Sequence, residues 1–131
     1  SKIVDIATLT GACGVALGEL AMGLLSNNDS EVAAMKGAAS KTGERVWQLP
    51  LYSEYLEYLE SGIADIAHCS EGRYGGTCTA AKFLEQFVND TPWVHLDIAS
   101  VMIQKKNKGA QVKGMSGAGA RNLIQYVLDQ G

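Results

Sequence analysis

The chain has little of what ties down a small secreted domain or a membrane protein. Cysteine appears three times, at Cys13, Cys69 and Cys78. No pair has the Cys-x-x-Cys spacing, and any single pairing leaves one thiol over. That argues against a disulfide framework and for a reducing compartment, read here as cytoplasmic. No apolar run approaches the roughly eighteen residues needed to cross a bilayer. The opening Ser-Lys-Ile-Val-Asp-Ile lacks the charged and then apolar stretches of a signal sequence. Clustered positive charge is confined to Lys105-Lys106-Asn107-Lys108, which with Gly109 reads as a solvated loop. A formal net charge of −3 leaves no basic face for nucleic acid or an anionic membrane, and neither is expected as a partner. Internal repeats and low-complexity linkers are missing too, so a single α/β unit is expected over residues 1–131. Its first strand begins about two residues in, without a leading Met, which suggests a piece of something longer.

What is present is a core. The chain is 47% hydrophobic over 131 residues, enough for one domain that buries roughly two-thirds of its unfolded surface. Ile3–Thr8 reads as a first strand. The short apolar runs Val15–Leu17 and Met22–Leu25, separated by Gly18 and Gly23, read as further strands. Asn28-Asp29-Ser30 supplies N-cap candidates for a helix to about Thr42, closed by Gly43. Tyr52, Tyr55, Leu56 and Leu59 fall at i, i+3, i+4, i+7 opposite Glu54, Glu57 and Glu60, an amphipathic helix that ends at Gly62. After the glycine-rich loop 71–76, Thr77–Val88 forms a helix with Ala80, Phe83, Leu84, Phe87 and Val88 on one stripe. Trp93–Ser100 is the next strand, and residues 121–130 close the chain as a helix presenting Leu123, Ile124, Val127 and Leu128. Strands alternating with helices predict a mostly parallel sheet covered on both faces.

The residues that could carry chemistry do not assemble into a complete catalytic set. His95 and Asp97, two apart on one strand, share a face and could be metal ligands or an acid/base pair, but a satisfied core hydrogen bond is the favoured reading. His68, Cys69 and Cys78 with Asp65 make a poor zinc site, because structural zinc takes four nitrogen or sulfur ligands. Asp5 lacks a neighbour in sequence that would make it a base. The glycines of Tyr74–Ala81 precede a helix N-terminus without matching a nucleotide-binding fingerprint. Ser116 in Gly-Met-Ser-Gly-Ala-Gly only echoes a nucleophile elbow.

Long motifs say more. Asp5–Ala12 (DIATLTGA), Ala16–Glu19 (ALGE), Gly23–Asn28 (GLLSNN), Thr42–Leu51 (TGERVWQLPL), Thr79–Val88 (TAAKFLEQFV) and Trp93–Ser100 (WVHLDIAS) follow in order along almost the whole chain. In this it resembles the C-terminal part of the catalytic domain of the leucyl (cytosol) aminopeptidase family. The resemblance implies part of a three-layer α/β/α domain in a cytoplasmic two-metal enzyme. Such an enzyme releases N-terminal amino acids, leucine-like ones preferred, from peptides. It implies two divalent ions, Zn²⁺ or Mn²⁺, that activate the attacking water and polarise the scissile carbonyl. It also implies a homo-hexamer. The family's Asn-Thr-Asp-Ala-Glu-Gly-Arg stretch, its metal-binding lysine and its remaining ligands match nothing in this chain. The expectation is therefore that no catalytic or metal-ligating residue lies here, and that the chain alone binds no metal and hydrolyses nothing.

Several substrate contacts carry over by the same resemblance. Thr8, Leu9, Thr10 and Gly11 would lie beside the metal centre. There the Leu9 carbonyl accepts from the substrate α-amine, and the Gly11 N–H donates to the oxygen of the scissile carbonyl. Ala99 and Met102, with Thr8 at the wall, would line the pocket for the first side chain; for Met102 the competing reading is a plain core methionine. The loop from Cys69 to Thr77 would border the leaving side. Ser100 stands where the family places glycine, so a positive φ there would be strained. A non-catalytic member or fragment that serves as an assembly or binding scaffold is the alternative, distinguished by the ligands in the upstream half of the polypeptide.

Overall fold

The computed structural model describes residues 1–131. Four strands, β1 (Ile3–Ala7), β2 (Met22–Ser26), β3 (Val46–Gln48) and β4 (Trp93–Asp97), form one sheet in the order β1-β4-β2-β3. The β1–β4 and β2–β3 pairings are parallel and β4–β2 is antiparallel, so the mostly parallel α/β expectation holds. Central β4 is buried along its whole length. Its alternation sends Val94 and Leu96 to one face, and Trp93, His95 and Asp97 to the other.

Helices α2 (Asp29–Thr42) and α4 (Ala120–Leu128) cover the first face. There Leu24, Val32, Met35, Ala38, Val94, Leu96 and Tyr126 form one buried cluster. Each fully buried leucine or methionine in it stabilises the fold by about 1.5–3 kcal/mol. Helix α3 (Gly76–Glu85) covers the second face, where Leu25, Cys78, Ala81, Val88 and Trp93 make the other cluster. Helix α2 keeps its expected bounds because its caps are local. The Asn28 carboxamide oxygen accepts from the Ser30 and Glu31 N–H groups, and Gly43 takes the left-handed conformation that stops the helix. Gly119, with φ +86°, turns the chain into α4 where a Cβ would fall 2.3 Å from the Ile6 Cδ1.

Two expected elements differ. Val15–Leu17 is not a strand but the end of a short helix, α1 (Gly11–Leu17). Thr10 caps it by accepting from the Cys13 N–H, and the helix buries Cys13 while Val15 stays 86% exposed. Residues Ser53–Leu59 form a 3-10 helix, not an α-helix. Its threefold repeat puts i and i+3 side chains over one another. Accordingly the Tyr52 and Tyr55 rings stack at 6.2 Å, Tyr58 lies tilted at 6.3 Å from Tyr55, and only Leu59 is fully buried. Strand β4 ends at Asp97, three residues short of the expected bound, because residues 98–102 turn. A small hairpin of β5 (Ile103–Gln104) and β6 (Gly114–Met115) follows.

Candidate functional site

At their carboxyl ends β1 and β4 run side by side, Ala7 opposite Asp97, and the Ile98 N–H extends the ladder to the Ala7 carbonyl at 2.9 Å. This is the edge where open α/β sheets place their ligands. Beyond it the two chains diverge, and the buried carboxylate of Asp97 fills the gap. Its Oδ1 accepts from the Leu9 N–H at 3.2 Å and the Ala99 N–H at 3.1 Å. Its Oδ2 accepts from the Thr10 N–H at 3.1 Å and the Thr10 hydroxyl at 2.6 Å. Four donors occupy all the lone-pair directions a carboxylate offers. Since the Thr10 hydroxyl proton goes to Asp97, the buried Thr77 hydroxyl at the start of α3 donates to Thr10 Oγ1, 2.8 Å away. One aspartate thereby joins β1, α1, α3 and the turn after β4.

Of the predicted contact residues, Leu9, Thr10 and Ala99 are held by this clamp, and Thr8 and Gly11 adjoin them in the chain. Thr8, Leu9 and Gly11 are exposed and Thr10 is half-buried. The Leu9 carbonyl and the Gly11 N–H have no hydrogen-bond partner in the chain, and both belong to exposed residues. A Cβ placed on Gly11 would meet nothing within 4 Å. Leu9 and Ala99 are brought together, because their N–H groups share one oxygen of Asp97. Met102 is half-buried at the end of the turn, where its carbonyl accepts from the Ser116 N–H at 2.9 Å; its tie is to the segment after the hairpin. Ser100 does not have a positive φ, since Asn89 is the one non-glycine residue that does. Its side chain lies over Gly14, where an added Cβ would come within 3.3 Å of Ser100 Cβ. A serine at this position therefore meets no left-handed backbone strain.

His95 and Asp97 share a face, as their spacing requires, but each has its own partners. His95 is fully buried with Nδ1 2.5 Å from Asp5 Oδ1, and the Trp93 indole donates to Asp5 Oδ2 at 2.5 Å. Asp5 therefore serves the sheet through its two partners on β4, and His95 Nε2 is buried without a partner. Asp65, His68, Cys69 and Cys78 do not converge on a common point, since no three His, Cys, Asp or Glu side chains do. All three cysteines are free. Burial, then the charge of Asp97, pushes the Cys13 thiol above its ordinary range, and burial does the same to Cys78. Both are buried side chains that pack in the interior. What the sequence did not reveal is Asp97 as a backbone anchor together with Thr77; apart from Ala99, two residues on, their partners Leu9 and Thr10 lie 67 to 88 residues away, beyond any local signal.

Residues 1–124 match the family model described as "Cytosol aminopeptidase family, catalytic domain". A "probable cytosol aminopeptidase" of Gloeobacter violaceus is 48% identical over 98% of this chain and 25% of its own length. One of Solibacter usitatus is 50% identical over 98% of this chain and 27% of its own. A solved structure of a tomato leucine aminopeptidase mutant superposes with a TM-score of 0.90 at 38% identity, covering 98% of this chain and 24% of that one. The chain thus spans about a quarter of the length of the relatives it matches. With a family model spanning nearly every residue and the same fold in a leucine aminopeptidase, the chain belongs to the cytosol aminopeptidase family.

Proposed function

We propose that this chain is the substrate-reading wall of an aminopeptidase that removes leucine-like residues from peptide N-termini. The observation that carries the reading is the pair of unpartnered backbone groups, on exposed residues, in the turn between β1 and α1. The Leu9 carbonyl is an acceptor with no side-chain chemistry of its own, suited to a substrate α-amine. Two residues on, the Gly11 N–H is a donor suited to the scissile carbonyl oxygen, where negative charge develops. Thr8, Ala99 and Met102 supply small and apolar surface for the first side chain. Thr10 holds the turn between the two groups through its hydroxyl and N–H.

The two divalent ions implied by the family are not matched by this chain's residues. No three His, Cys, Asp or Glu side chains converge on one point. The two carboxylates nearest the site are engaged, Asp97 by four donors and Asp5 by Trp93 and His95. The chain's own part is to bind and orient, and zinc or manganese ligands belong to other parts of the polypeptide. Exposed Trp47, Ile63, Phe87, Ile124 and Val127 suit a subunit buried in a larger assembly, which we take to be a homo-hexamer. Three unpaired thiols suit the cytoplasm, and no helix is long and apolar enough to cross a membrane.

The test is the intact polypeptide, assayed on leucyl amide and on N-acetyl-leucyl amide. Hydrolysis confined to the free amine is expected. Equal hydrolysis of both would contradict a site built on the Leu9 carbonyl, and hydrolysis of neither would leave a scaffold.

A further inference from the structure

We propose that Asp97 is the positioning residue that aims the Leu9 carbonyl at the substrate α-amine, and that fixes the distance between this carbonyl and the wall formed by Ala99. The inference rests on the aminopeptidase reading and adds the residue that gives its backbone contacts their direction. The Leu9 carbonyl and the Thr10 N–H belong to one planar trans peptide, so they point in opposite directions. No peptide bond in the chain is cis. With the Thr10 N–H directed inward to Asp97 Oδ2 at 3.1 Å, the Leu9 carbonyl is directed outward. The Thr10 hydroxyl on the same oxygen and the Thr77 hydroxyl behind it keep that peptide from rotating. Asp97 Oδ1 holds Leu9 N–H and Ala99 N–H at 3.2 and 3.1 Å, which ties the strand end that reads the amine to the turn that reads the side chain. Asp97 is fully buried and touches no substrate; it acts through the two segments.

Asp97→Asn in the intact enzyme tests this. Asparagine keeps the volume but puts an NH₂ where one oxygen was. Whichever way the amide is turned, at least one backbone N–H then faces a donor. Released from Asp97, the Leu9–Thr10 peptide no longer presents its carbonyl, and the bond to the amine is lost in ground and transition states alike. A hydrogen bond to a charged group is worth roughly 10–150-fold in binding, so KM for leucyl amide should rise by at least about tenfold. A variant that is merely part-unfolded would lower kcat at unchanged KM. Hydrogen exchange of the Leu9, Thr10 and Ala99 amides, followed in the same protein, should accelerate together. An unchanged KM in a folded variant overturns the proposal, whether or not exchange rises, and so does a loss in kcat alone. If Asp97→Asn does not fold, Thr10→Val removes the hydroxyl from the clamp together with the α1 cap, and KM should rise on the order of fivefold while Thr10 amide exchange accelerates; no rise overturns the proposal. A wild-type protein without aminopeptidase activity would instead overturn the functional reading, with the exchange data still deciding whether Asp97 holds the two segments.

Discussion

Gly11 offers a separation of stability from activity that few positions allow. It opens α1, its φ is not positive, and a methyl built on it meets no atom of the chain within 4 Å. Nothing in this fold asks for glycine there. Replacing it by alanine lowers the entropy of the unfolded chain and improves helix propensity, so Gly11→Ala should stabilise by about 0.4–1 kcal/mol. If the residue faces the scissile carbonyl, the same methyl stands where the substrate must approach. A reacting group displaced by about an ångström, or an oxyanion donor lost, lowers turnover on the order of a hundredfold. The expected result in the intact enzyme is therefore opposite in sign for the two properties. Unfolding shifts to equal or higher denaturant, while kcat/KM on leucyl amide falls about a hundredfold. A variant as active as wild type would refute the placement of Gly11 at the substrate. A variant that loses stability and activity together would refute the reading of its surroundings as open.

Other outcomes follow from the same contacts. Ala99→Leu adds bulk to the side-chain pocket, so leucyl amide should lose on the order of a hundredfold in kcat/KM while alanyl amide changes by less than about tenfold; equal losses would remove Ala99 from the pocket. Gly119→Ala combines a left-handed backbone with a 2.3 Å clash against Ile6. It should destabilise by about 2–4 kcal/mol in denaturant titration with kcat of the folded enzyme unchanged. Burial, and then the bond its hydroxyl donates to Glu31, push the Tyr126 phenol from 10.0 up to about 12. A raised value stabilises the fold below the unfolded pKa, and that contribution is lost as pH climbs from about 10 to 12. Tyr126→Phe should abolish this alkaline limb in a plot of stability against pH, and an unchanged limb would place its origin elsewhere.

What was legible in the chain was whatever is local or long. The Asn28 cap and Gly43 stop bracket α2 within sixteen residues, and the apolar Trp93, Val94 and Leu96, broken only by His95, mark β4 as a strand. Helix α1 escaped because seven residues give less than two turns in which a 3.6-residue period could show, and because exposed Val15 imitates a strand residue. Over the same short span Tyr52, Tyr55 and Tyr58 satisfy a threefold repeat as well as an α-helical one, so the 3-10 helix was read as the commoner form. The site divides in the same way. Thr8–Gly11 is proposed through a contiguous motif, whereas the role of Asp97 depends on β4 being laid beside β1, a pairing of residues about ninety apart. Nothing near Asp97 in sequence distinguishes a ligand from an anchor; only its four donors do.

The most direct measurement is a crystal structure of the intact protein with a leucine-derived ligand that carries a free α-amine and a tetrahedral centre in place of the scissile carbonyl. The account predicts the α-amine within hydrogen-bonding distance of the Leu9 carbonyl and a tetrahedral oxygen on the Gly11 N–H. It also places the leucyl side chain against Thr8, Ala99 and Met102, with Asp97 still holding Leu9, Thr10 and Ala99. A ligand whose amine is bound by other groups, with the Leu9 carbonyl and Gly11 N–H left to water, would contradict it.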